Sequence, residues 1–150
     1  MRMRVSLIVF ICFCIISQSL IGQASNSWLL FEKASFKDVY LEDYGAYASL
    51  LNEDPEIMAL NNLDLTIKGY HIPVMEEGLV VLSKYPNANC FFCGGAGLES
   101  VMEVRLKEKP EQRFEMDEKL TFRGRLVINS TDYNILSFIL EDAELLSRER

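Results

Sequence analysis

The chain has 150 residues, with 15 Lys and Arg against 22 Asp and Glu and a formal net charge of −7. That sign repels phosphate backbones and argues against a nucleic-acid partner. Behind its N-terminal leader, the remaining length suits one compact domain over residues 25–150 rather than two.

Met1-Arg2-Met3-Arg4 is basic, Val5 to Ile16 is almost unbroken apolar sequence, and Gly22-Gln23-Ala24 supplies the small residues that a signal peptidase reads. The pattern predicts a signal peptide over residues 1–24, a mature N-terminus at Ser25, and a periplasmic or secreted protein. The apolar run is short against the ~20 residues of a bilayer-spanning helix, so no membrane span is expected after cleavage; an uncleaved anchor is the alternative. Neither Cys12, after Ile11, nor Cys14, after Phe13, follows the small residue that lipidation requires. Loss of Arg2 and Arg4 with the leader leaves 13 basic against 22 acidic residues, a net charge of −9.

Ser27 is a cap for a short helix beginning at Trp28, and Phe36 to Tyr40 alternates as a strand. Asp54-Pro55-Glu56 is a helix start, an N-cap followed by proline at the first helical position. That helix should stop by Asn61-Asn62, where asparagine tolerates the left-handed conformation. Five strand-like runs follow, separated by turn-forming residues: Leu63 to Ile72, Leu79 to Leu82, Val101 to Leu106, Leu120 to Ile128 and Ile135 to Leu140. Two of them share a pattern, Leu65-Thr66-Ile67-Lys68-Gly69 and Leu120-Thr121-Phe122-Arg123-Gly124. A glycine inside a strand marks a bulge or a close backbone approach, as a barrel corner requires. The expected fold is mainly β: a small, partly open, OB-like five-stranded barrel with one or two short helices.

Thr66-Ile67-Lys68-Gly69-Tyr70-His71-Ile72-Pro73, followed by Cys90-Phe91-Phe92-Cys93-Gly94-Gly95-Ala96-Gly97-Leu98-Glu99-Ser100-Val101-Met102-Glu103-Val104, resembles a family of small exported bacterial proteins of uncharacterised function, frequent in Bacteroidetes. Gly124-Arg125-Leu126 and Ile139-Leu140-Glu141-Asp142-Ala143 fit the same pattern, and the resemblance runs from about Trp28 to Leu145. It departs where family members tend to carry glycine, here Asn62, and proline, here Leu98. The resemblance implies an envelope location and an OB-like barrel. Related families without the cysteines are associated with exporter-like and zinc-acquisition systems, which points toward metal handling and names no reaction.

Cys90 and Cys93 form a C-x-x-C turn followed at once by glycines, and three chemistries fit it. A structural zinc site needs four ligands, of which the thiolates supply two. His71, the sole histidine, is the candidate third ligand, with Glu99 or Glu103 the fourth; the plainer role for His71 is an ordinary hydrogen-bonding residue at a strand end. Met75 and Met102 would suit copper(I), although methionines near strands more often fill the core. A Cys90–Cys93 disulfide is the second chemistry, favoured by an oxidising compartment and an even cysteine count in the mature chain. Its small ring would constrain little chain entropy. Thiol–disulfide exchange is the third, but it wants the pair at a helix N-terminus near a βαβ unit, and Gly94-Gly95 starts a helix poorly.

Other motifs fail. A zinc deaminase needs glutamate where Pro73 stands and proline where Asn89 stands. Gly95-Ala96-Gly97 lacks the third glycine of a dinucleotide fingerprint and suits a tight turn instead. Asn129-Ser130-Thr131 reads as a turn rather than a glycosylation site, and Glu76-Glu77 and Glu141-Asp142 as solvated faces rather than acid–base pairs. The leading expectation is a non-enzymatic envelope binding module with Cys90, Cys93 and His71 as ligands for zinc or copper. An envelope protein or metal transporter would be its partner. The alternatives are an interaction module stapled by a disulfide, and a thiol-redox protein.

Overall fold

The computed structural model describes residues 27–74, 79–87, 94–108 and 113–149. The expected leader, with Cys12 and Cys14, lies outside the described residues, as do Cys90, Cys93, Met75 and Glu76-Glu77.

A 3-10 helix over Ser27–Phe31 opens the described chain. The Ser27 hydroxyl donates to the Thr66 carbonyl at 2.6 Å and the Trp28 indole donates to the Lys68 carbonyl at 2.8 Å, so the helix is fastened along one strand of the sheet. Strands β1 (Phe36–Leu41) and β2 (Ala46–Leu51) form a hairpin of their own. The single turn α1 (Pro55–Met58) starts as expected, with the Asp54 side chain accepting from the Glu56 amide at 2.8 Å. The chain then turns at Asn62, which adopts φ 67°.

Five strands complete the architecture: β3 (Asp64–Ile72), β4 (Val80–Ser83), β5 (Val101–Leu106), β6 (Lys119–Ile128) and β7 (Phe138–Glu149). They close into a barrel in the order β3-β4-β5-β7-β6, every neighbouring pair antiparallel except β5–β7. Counting only barrel strands, the order is one-two-three-five-four with the third and fifth parallel, the arrangement of an OB-like barrel. The sheet is closed, where a partly open one was expected.

Period-two alternation sets the interior. On β3, Leu65, Ile67, Gly69 and His71 are buried, while Thr66, Lys68 and Tyr70 are partly covered on the other face. Ile67, Leu82, Met102, Leu120, Phe122, Leu126, Phe138 and Leu140 form the core, joined by Phe31 and Leu51 from outside the barrel strands. Phe31 and Phe138 pack with ring centroids 4.4 Å apart.

Two expectations need correcting. Ala46–Leu51 is a strand that the sequence reading left out, and its side chains are mostly exposed or half-buried, so no burial rhythm marks it. The last strand begins at Phe138 rather than Ile135 and runs through charged sequence to Glu149 instead of ending at Leu140. That charge is accommodated because the strand's outward side chains find cations: Lys107 lies 2.9 Å from Glu144 and Lys68 lies 2.7 Å from Glu149.

Candidate functional site

His71 is buried near the end of β3, and a short turn over residues 113–118 wraps it. The His71 amide donates to the Glu118 carbonyl at 2.9 Å, and the Asp117 amide donates to the His71 carbonyl at 3.0 Å. These bonds carry the β3–β6 pairing, which reaches Tyr70 opposite Lys119, one step beyond the start of β6. The turn needs a left-handed residue and places Asp117 there, at φ 60°.

Nδ1 of His71 lies 3.0 Å from the Glu115 carbonyl oxygen. A carbonyl can only accept, so this bond puts the proton on Nδ1 and leaves Nε2 of the neutral ring with its lone pair. The imidazole therefore has one nitrogen committed to the backbone and one suited to a ligand or a hydrogen. Phe114 packs edge-on against the ring, centroids 5.6 Å apart, and in turn against Phe122 in the core at 5.9 Å.

A buried ion pair stiffens the same turn. The Glu118 carboxylate receives Arg148 Nε at 2.7 Å and Nη2 at 2.9 Å, and it also accepts from the Glu115 amide at 2.9 Å. The Glu118 side chain is 1% exposed. The Arg148 guanidinium lies 5.1 Å from the centre of the Phe114 ring, and its hydrogen bonds to Glu118 raise its pKa. Backbone position, ring orientation and tautomer at His71 thus rest on Glu115, Glu118 and Arg148. Sequence reasoning missed these three, because their partners are 30 to 44 residues away along the chain.

The described stem that leads toward the cysteines is tied to this turn. The Asn87 amide donates to Asp117 Oδ1 at 2.6 Å, and its side-chain amide reaches Met116 Sδ at 3.6 Å. On the far side of the cysteines, Gly94 adopts φ 76°, in keeping with a glycine-dependent turn. The 3-10 helix Leu98–Ser100 then brings the Ser100 carbonyl to the Lys84 amide at 2.9 Å.

The other candidate ligands have surroundings of their own. Glu103 is in register with Val81 on β4 and Ile139 on β7, one step out of phase with the row His71, Leu82 and Met102. It therefore sits on the opposite face of the wall from His71, and Arg105 Nε bonds it at 2.8 Å. Met102 is fully buried and fills the core. Glu99 lines an open cleft of about 340 Å³ with Trp28, Glu32, Lys84, Tyr85 and Ser100. Among the described residues, no group of three or more His, Cys, Asp or Glu could hold a metal ion. Among them, too, no helix is long and apolar enough to cross a membrane. No protein-family model, curated protein or solved structure matches the chain.

Proposed function

We propose that the protein is an exported envelope binding module. In this reading the thiolates of Cys90 and Cys93 and Nε2 of His71 capture a soft metal ion, zinc or copper(I), and release it to a protein partner such as a metal transporter. The chain would then belong to the exported OB-like family whose cysteine block it resembles, and it would bind without catalysing a reaction.

The observation that carries the reading is the bond from His71 Nδ1 to the Glu115 carbonyl. Metal-binding histidines commonly donate their second ring nitrogen to a backbone carbonyl or carboxylate, which fixes the tautomer and aims the free nitrogen. Two thiolates and an imidazole are a donor set for zinc or copper(I) rather than for calcium or magnesium. The tie from Asn87 to Asp117 supports the reading, since Asn87 precedes Cys90 by three residues in the sequence and Asp117 belongs to the turn that wraps His71.

Native mass spectrometry of protein taken from the envelope with thiols blocked tests the state of the pair. A metal-bound mass is expected; a mass two hydrogens lower means a disulfide and the interaction-module reading. Anaerobic titration of the reduced protein adds the affinity. Cys90→Ser and Cys93→Ser should each abolish stoichiometric binding, and His71→Ala should weaken it. Binding by wild type no tighter than by the double serine variant would end the metal reading. Turnover of a disulfide substrate by the reduced protein would replace it with redox chemistry.

A further inference from the structure

The β1–β2 hairpin carries a surface that neither the barrel nor the cysteine block explains. Among the described residues its two strands pair only with each other. An isolated two-stranded ribbon is marginal in water, so its exposed side chains must either stabilise it or be used. Tyr40 and Tyr47 sit directly opposite each other, ring centroids 5.1 Å apart, and Tyr44 packs against Tyr133 from the β6–β7 connection at 6.0 Å. These four tyrosines are 52%, 73%, 67% and 41% exposed respectively.

The segments that carry the rings are acidic. Residues 36–53 and 129–137 hold Asp38, Glu42, Asp43, Glu53 and Asp132 against a single cation, Lys37. Lys37 is paired with Leu50, whereas Asp38 is paired with Ser49 in phase with Tyr40 and Tyr47, so the cation lies on the other face of the ribbon. Glu42 and Asp43 form the turn itself, whose Gly45 at φ 60° brings the chain back into β2. Aromatic faces bordered by carboxylates attract cations, and guanidinium more than ammonium, because it is planar, weakly hydrated and stacks on rings.

We propose that this tyrosine face docks an arginine-rich segment of a partner protein. The inference is independent of the metal reading, since it uses no residue of the Cys90, Cys93 and His71 set. A second copy of this chain is a poor occupant, because its net charge is also negative.

An arginine nonapeptide and a lysine nonapeptide serve as probes of the full mature chain at physiological salt, read by calorimetry and by amide chemical shifts. The arginine peptide should bind more tightly, with shifts centred on residues 36–51 and 130–134. Tyr40→Ala with Tyr47→Ala should weaken it by about tenfold, the product of two exposed cation–π contacts. Should that variant lose its hairpin, Glu42→Gln with Asp43→Asn tests the same face with the rings intact. Its charge-matched control is Glu144→Gln with Glu149→Gln on β7. The turn variant should weaken binding several-fold more than the control. Equal losses in the two, equal affinity for both peptides, or shifts centred elsewhere would each overturn the proposal.

Discussion

Gly69 stands directly opposite Leu120 in the β3–β6 ladder, and Gly124 directly opposite Leu65. The two Leu-Thr-x-x-Gly segments are therefore partners, antiparallel and in register, with Ile67 facing Phe122 at the centre. Each glycine relieves a different crowding. A Cβ on Gly69 would lie 2.7 Å from the Ser83 carbonyl and 3.2 Å from the Trp28 ring, and one on Gly124 would lie 2.6 Å from the Glu141 carbonyl. The second position coincides with the register shift between Arg123 and Arg125, where β7 passes a bulge.

Because backbone atoms are what a side chain would strike, neither site can adapt by rotating a neighbour. Gly69→Val and Gly124→Val should each destabilise the fold by roughly 1–3 kcal/mol. Thermal melts of the two variants check this, and unchanged midpoints in both would remove the close-approach explanation.

The repeated pattern was legible because buried, alternating strands write period two into their sequence, as Leu65, Ile67 and Gly69 do on β3. The start of α1 was legible for a local reason, the Asp54 cap and Pro55. β2 was not, since a ribbon outside the barrel buries little and so imposes no rhythm on Ala46 to Leu51. The charged half of β7 was hidden likewise, because its fitness for a strand depends on Lys68 in β3 and Lys107 just past β5, cations distant in sequence. At the site, residue type alone singled out His71. Its backbone acceptor at Glu115, 44 residues on, left no trace that a sequence motif could carry.

Glu118 and Glu56 make a direct contrast in ion-pair energetics. Glu56 meets Lys33 at 3.0 Å with both side chains more than 70% exposed, whereas the Glu118 side chain is 1% exposed and accepts three donors. Glu118→Gln would turn an amide NH2 toward Arg148 or the Glu115 amide, leaving a donor facing a donor. That variant should lose about 1–3 kcal/mol in urea denaturation, the usual cost of an unsatisfied buried group. Glu56→Gln should be close to neutral. Equal midpoints for the two variants would mean that the buried pair contributes nothing beyond a surface contact.

Acid should weaken the outer face of β7. The carboxyls of Glu144 and Glu149 have pKa values lowered below 4.5, chiefly by hydrogen bonds from Lys107 and Lys68. A carboxyl whose folded pKa is depressed contributes stability that is present above its unfolded pKa and is lost as pH falls through the folded value. The difference in urea midpoint between wild type and Glu144→Gln with Glu149→Gln should hold steady above pH 4.5 and close below it. Both groups are exposed, so 1 M salt should shrink the difference at every pH. A difference that persists at the acid end would assign it to packing rather than to charge.

The tautomer of His71 gives the metal reading its most direct check. If Nδ1 donates to the Glu115 carbonyl, long-range nitrogen–proton correlation spectra of the metal-free protein should show the proton on Nδ1 and a bare Nε2. Adding zinc to the reduced protein should then move the Nε2 resonance and leave the Nδ1 proton in place, as expected when the second nitrogen stays bonded to the backbone. Affinity should fall as pH drops, because protons compete with the metal for the Cys90 and Cys93 sulfurs. A spectrum with the proton on Nε2 would remove His71 as a ligand through that nitrogen. Zinc binding that leaves both His71 nitrogens unmoved would instead leave the cysteine pair to find its remaining ligands elsewhere.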